Sequence, residues 1–223
     1  GMLQPNIVMV FGDQWRYHSL GASGNSAVQT PNIDAFASES LEVAHAISST
    51  PICSPYRASL MTGQRPITHG VFLNDAPLRP TGPCLAELLS AHGYETAYIG
   101  KWHLSGRGRK APVPREMRFG FEYWRALECS HDYWHSDYYR DDEEQMRRWS
   151  GYDAAAQTDE AISFVRNRRD DRPFFLILSW GPPHDPYDQA PTEFQSLYAD
   201  VDIPLRPNVP PEVSKQAKEC IRG

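Results

Sequence analysis

The segment Pro173 to Trp180, reading PFFLILSW, restricts the fold more than any other part of this chain. A strand with apolar side chains at successive positions has no face to give to water. It needs cover on both sides, as in a parallel sheet sandwiched between helices. Asn6 to Gly12 (NIVMVFG) is a second short apolar, β-branched run, and it delivers Asp13 and Gln14 to the C-terminal edge of the expected sheet. Leu41 to Ile47 reads as a further strand, and Glu95 to Ile99 as another that leads into Gly100 and Lys101. Helices are expected between them. Thr30-Pro31-Asn32 to Ser40 has a capping residue followed by proline at the first helical position, and a second helix begins near Pro55. A third covers about Pro83 to Ala91 and stops at Gly93, and Asp153 to Arg166 has one apolar face. This alternation predicts an α/β fold with a mainly parallel central sheet flanked by helices.

With 223 residues, 40% of them hydrophobic, the chain is long enough for one substantial core and short for two ordinary domains, so residues 1–223 are expected to form one unit. A formal charge of -6 lacks the basic surplus that binding to nucleic acid requires. No apolar run approaches the roughly 18 residues of a membrane span, so no membrane partner is expected. Gly1 ahead of Met2 resembles an added residue. With Met2 as the natural start the protein is expected in the cytoplasm; with a signal peptide removed, in the periplasm or outside the cell. Cys53, Cys84, Cys129 and Cys220 lie far apart with no CxxC spacing, against a zinc knuckle or a disulfide framework. Residues 105–150, rich in Arg, Asp, His, Tyr and Trp, read as an irregular excursion beside the active site, with a surface insertion as the alternative. The prolines from Pro182 to Pro211 argue against regular structure there, before a last helix over Pro211 to Ile221.

Chemistry concentrates at two places. Cys53 stands between a strand and a helix start, where backbone N–H groups favour an anion, and Arg57 one turn on has the planar fork to hold one. A free cysteine alone is more commonly a small buried hydrophobe. Gly93 to His103 ends in Gly-Lys-x-His; alone, Lys101 would be a surface charge and His103 a loop histidine. The combination says more. Cys53-x-Pro55-x-Arg57 followed by Leu60-Met61-Thr62-Gly63 closely resembles the signature of the type I, formylglycine-dependent sulfatases of the alkaline phosphatase superfamily. Gly93 to His103 is similar to the second signature of that family. Pro5-Asn6-Ile7-Val8 running into Asp13-Gln14, and Pro183-His184-Asp185-Pro186-Tyr187 after the buried strand, extend the resemblance over nearly the whole chain.

The resemblance implies an alkaline-phosphatase-like α/β sandwich, with this chain as the N-terminal part of the catalytic domain. It implies hydrolysis of a sulfated small molecule or carbohydrate. The family's maturation enzyme would oxidise Cys53 to formylglycine, whose hydrated aldehyde offers one oxygen to take the sulfuryl group and another to expel it. A thiolate has no such route. By motif position, Arg57 steadies the hydrated aldehyde, Lys101 grips sulfate oxygens, His103 hydrogen-bonds the diol, and His184 acts as general acid. Asn74 takes a substrate-binding position. Asp13 and Gln14 match the first pair of metal ligands, all oxygen, which suits Ca²⁺ or Mg²⁺. The Asp-Gln version also occurs in relatives that hydrolyse phosphonate or phosphate esters, the alternative reading. Family chains are normally much longer and carry a later Asp-Asn or Asp-His pair that nothing after Val201 matches. The chain is therefore expected to be truncated at its C-terminal side and to hold metal weakly or not at all. A face left open there is expected to expose apolar surface unless self-association as a homo-oligomer or a lost partner segment hides it, and a non-catalytic anion-binding remnant is the second alternative.

Overall fold

A computed structural model describes residues 4–169 and 171–213. The chain divides into two compact units, one made of the residues up to Gln14 together with Ile47–His184, the other of Trp15–Ala46 and the residues from Asp185 on.

The first unit is built on a mixed, six-stranded sheet. Its strands are Ile7–Gly12 (β1), Glu95–Lys101 (β2), Tyr123–Leu127 (β3), Asp137–Arg140 (β4), Met146–Arg148 (β5) and Phe174–Trp180 (β6), in the order β1-β6-β2-β3-β4-β5. β1, β6, β2 and β3 run parallel, whereas β4 and β5 are antiparallel to their neighbours. The central strand β6 explains its unbroken apolar sequence. Phe175 and Ile177 enter the core on one face, with Tyr98, Trp102, Phe121 and Trp124. Phe174, Leu176 and Leu178 enter the opposite core, with Ala97, Ile99 and Phe164. Successive strand residues point to opposite faces, so helices must cover both sides.

Cys53–Thr62 (α2) and Leu85–Ala91 (α4) contribute Ala58, Met61 and Ala86 to the first core. Asp153–Asn167 (α5) contributes Ala161 and Phe164 to the second. Between α2 and α4 lies the single turn Pro66–His69 (α3). In the edge strand β1, Ile7, Met9 and Phe11 pack inward, while Val8 and Val10 are 53% and 46% exposed. Trp124 is fully buried and stacks at 5.5 Å on Tyr98, with Trp102 edge-on at 5.1 Å. Trp124→Ala should therefore lower unfolding free energy by about 3–5 kcal/mol, as large-to-small core changes do. Urea titration checks this, and a loss within experimental error would show that the aromatic cluster does not hold the unit together.

The second unit contains the helix Pro31–Ser38 (α1) and the short helix Thr192–Ser196 (α6). The hydroxyl of Tyr198 accepts the Gln29 N–H at 2.9 Å, which ties its two chain segments together.

Beyond the division into two compact units where one was expected, three sequence expectations differ from the structure. Leu41 to Ile47 is not a strand: it contains a turn, and Leu41 and Ile47 are 93% and 90% exposed. Its alternating pattern has no neighbouring backbone to pair with. Residues 105–150 are not an irregular excursion, since they supply β3, β4 and β5. Their charges disguised the strands: Arg125 is buried in β3 because it pairs with Asp141 at 2.7 Å and Glu160 at 2.9 Å. The proline-rich stretch admits α6 because Pro191 precedes the helix, where its missing N–H costs nothing. The helix expected over Pro211 to Ile221 lies largely outside the described residues.

Candidate active site

The predicted residues gather where the parallel strands end, the edge at which open α/β sheets place their sites. Asp13 follows β1, Lys101 ends β2, and Cys53 is the first residue of α2. Lys101 can sit there because Gly100 precedes it. Gly100 has φ +110°, and a Cβ on it would lie 1.9 Å from the carbonyl oxygen of Ser179 in β6. Only glycine allows that approach.

Cys53 Sγ lies 3.5 Å from both carboxylate oxygens of Asp13 and 3.5 Å from Lys101 Nζ. Lys101 Nζ makes a short ion pair to Asp13 Oδ2, and Arg57 Nη2 lies 3.5 Å from the same oxygen. Burial opposes the Asp13 charge, but Arg57 and Lys101 outweigh it and hold the carboxyl at about 2. For Cys53 the balance goes the other way: burial pushes the thiol up, and the neighbouring Asp13 adds to it despite Lys101. The group at the helix start is a neutral thiol, not an activated thiolate.

Arg57 is almost fully buried and is held from several directions. Its Nη1 donates to Ser179 Oγ at 2.8 Å and to the Lys101 carbonyl, and the guanidinium lies 5.4 Å above the ring of Phe11. Its Nε has no partner among the described residues. Ile52 at the N-cap of α2 has no side-chain acceptor, so the helix is capped from a distance: Asn74 Oδ1 accepts the Ser54 N–H at 2.9 Å. Asn74 therefore orients the turn that carries Cys53. Ser54 Oγ donates to the His103 carbonyl at 2.7 Å, which fixes His103 to the same turn.

His103 is buried and stands at φ +59°. Burial holds its ring neutral, with the ionisation at about 4. Its Nε2 lies 2.7 Å from Asp75 Oδ1, and Asp75 takes a two-pronged pair from Arg109 at 3.1 and 3.0 Å. The His184 ring stacks on His131 at 4.5 Å, its carbonyl accepts the Tyr133 hydroxyl at 2.9 Å, and His184 is among the groups whose electrostatic influence lowers the Asp13 carboxyl. Gln14, at φ +55°, has an exposed side chain beside Asp13.

Sequence reasoning missed Asp75, Arg109, Ser179 and Tyr98. Asp75 directly follows Asn74, but no spacing rule couples either residue to His103. Among the described residues no group of three or more His, Cys, Asp and Glu is placed to hold a metal. Asp13 and Gln14 offer oxygens of the right chemistry for a hard cation, but only part of the six or more that Ca²⁺ takes. The buried nitrogens Arg57 Nε and His103 Nδ1 both lack a partner among the described residues.

Behind Lys101, a small cavity is lined by Ser130, Asp153 and Gln157, among others. Burial raises the Asp153 carboxyl to about 7, against 3.8 for the free acid. A folded-state value above the unfolded one means that the stabilising form is the neutral acid. Its contribution is complete below pH 3.8 and is lost as pH rises through 7. The chain should thus lose stability between about pH 4 and 7, and Asp153→Asn should flatten that slope in thermal melts. An unchanged slope in the variant would remove Asp153 as its cause.

An alkaline-phosphatase-like α/β sheet with a cation-rich cluster around a helix-start cysteine defines the class. The sulfatase family model matches residues 5–211, and the chain belongs to the sulfatase family. It is 43% identical over 221 residues to the ulvan-active sulfatase of Formosa agariphila, covering 99% of this chain and 43% of that protein. Among solved structures, a sulfatase from Bacteroides fragilis superposes with a TM-score of 0.85 at 29% identity, over 94% of this chain and 53% of that one. A structure in complex with its substrate D-glucosamine-2-N,6-O-disulfate superposes with a TM-score of 0.80 at 27% identity, over 92% of this chain and 40% of that one. The chain spans about half the length of the relatives it matches.

Proposed function

We propose that this chain carries the nucleophile-bearing part of a hydrolase for sulfate esters of carbohydrates, with Cys53 converted to formylglycine. The observation that carries this reading is the surroundings of Cys53: a neutral thiol at a helix N-terminus, 3.5 Å from Lys101 Nζ and from both oxygens of Asp13. A neutral thiol beside a carboxylate is a poor nucleophile and a suitable precursor for an oxygen one. Formylglycine, as a hydrated aldehyde, would supply a hydroxyl to attack sulfur and a second hydroxyl to release the product.

The chain's own residues would do the rest. Lys101 and the N–H groups of α2 attract the sulfate, and Lys101 neutralises charge on its oxygens. Arg57 keeps its unspent Nε–H for an oxygen at position 53. His103, neutral and with a bare ring nitrogen, accepts a proton. His184 takes the general-acid role implied by its motif, with His131 stacked against it. Asp13 and Gln14 would hold a Ca²⁺ or Mg²⁺ ion, which supplies positive charge to the same oxygens. A sulfated carbohydrate is supported by the named substrate of one structural relative and by the name of the ulvan-active one.

The discriminating experiment compares 4-nitrophenyl sulfate with 4-nitrophenyl phenylphosphonate in a preparation containing formylglycine and Ca²⁺. Higher kcat/KM for the sulfate is expected. Preference for the phosphonate would replace the sulfatase reading by the alternative ester chemistry.

A further inference from the structure

The pair Asp75–Arg109 belongs to none of the roles assigned above. Its partner His103 is buried, whereas the side chains of Asp75 and Arg109 are 50% and 49% exposed. A half-exposed ion pair contributes little to stability. Yet the backbone is held in the left-handed region at both ends of the hydrogen bond, with φ +64° at Asp75 and +59° at His103. Such residues persist only where the surrounding structure insists on them. Three contacts do so here. Asn74 caps α2 from the residue before Asp75, Ser54 holds the His103 carbonyl, and Arg109 closes on both Asp75 oxygens.

The chemistry of the bond sets the state of the ring. The two-pronged hydrogen bond from Arg109, with that of His103, keeps Asp75 ionised down to about 2, so its oxygens can only accept. At 2.7 Å, His103 Nε2 must therefore carry the proton. A neutral imidazole has one N–H, so Nδ1 is left with a bare lone pair, and Nδ1 is buried with no partner among the described residues. Lys101 and Arg57, through their positive charge, help keep the ring from protonating, and Arg109 shares the Asp75 charge that would otherwise favour protonation.

We propose that Asp75, clamped by Arg109, is a positioning residue that fixes His103 as the Nε2–H tautomer and presents Nδ1 as a bare proton acceptor inside the site. The role of that acceptor rests on the sulfatase reading; the tautomer does not. Histidine-selective nitrogen-15 NMR on this 223-residue chain reads it directly, with the His103 signals identified by their loss in His103→Gln. The expected result is a hydrogen-bonded Nε2–H proton protected from exchange and an Nδ1 shift typical of an unprotonated ring nitrogen.

Asp75→Ala should remove the protection, and Asp75→Glu should restore part of it. Arg109→Ala should keep the Nε2–H bond but raise the pH at which His103 protonates, because the Asp75 charge is no longer shared. A proton on Nδ1 in the unsubstituted chain, or protection unchanged in Asp75→Ala, overturns the inference. The expected tautomer in a preparation that hydrolyses no sulfate ester would leave the positioning role standing and count against the functional reading alone.

Discussion

Where the unsubstituted protein is prepared with an intact mass about 18 Da below that of the unmodified chain, the change from CH₂SH to CHO, Cys53→Ala should abolish ester hydrolysis. Loss of a nucleophile costs on the order of 10⁶ in kcat where the residue is the attacking group. The fold should be indifferent to the change. Cys53 is half-buried, its Sγ makes only long contacts, and α2 keeps its cap because Asn74 bonds to the Ser54 N–H. Cys53→Ser separates two explanations. A serine has a hydroxyl to attack but no second hydroxyl from which to release the product, so at most one turnover is expected. Sustained turnover by Cys53→Ala at the original rate would place the chemistry elsewhere, and a preparation that is active with an unshifted mass would remove the formylglycine.

Lys101→Ala should lower kcat/KM by about 10²–10³, the scale for losing one group that stabilises charge in the transition state. It should also destabilise the fold. Lys101 and Asp13 are both buried and paired, so removing the lysine leaves the carboxylate with Arg57 alone at 3.5 Å. Breaking a buried pair from one side costs about 3–5 kcal/mol. The two effects can be parted by the second substitution Asp13→Asn, which removes the stranded charge. Stability should return in the double variant, while activity should not. If denaturant titration and kinetics recovered together, Lys101 would be serving Asp13 rather than the substrate. An unchanged kcat/KM in a folded Lys101→Ala enzyme would place the lysine outside the site.

The buried strands announced themselves in the sequence wherever both faces are apolar. β6 is the clearest case, because burial on two sides forbids the polar alternation that makes other strands ambiguous. β3 was hidden by the opposite circumstance. Its Arg125 and the nearby Asp141 and Glu160 look like solvent-exposed charge until they are seen to neutralise one another. Leu41 to Ile47 failed in the reverse sense, since alternation has no consequence without a neighbouring strand edge. A pattern along one chain cannot report a partner that lies far away in sequence.

The site divides along the same line. Short motifs select Cys53, Arg57, Lys101 and His103 because neighbouring residues on a helix turn or a strand end need only local geometry to act together. The sequence by itself determined the family, the residues that its motifs mark and the sheet edge at which they lie. Only the tertiary structure decided the electrostatic state of those groups. Asp13 lies 40 residues or more from the cysteine, lysine and arginine that surround it, and their approach is what keeps it charged and the thiol neutral. Asp75 and Arg109 fix the His103 ring from 28 and 34 residues' separation along the Asp75 contacts. Ionisation and tautomer depend on distance in space and on burial, and neither quantity is written in residue order.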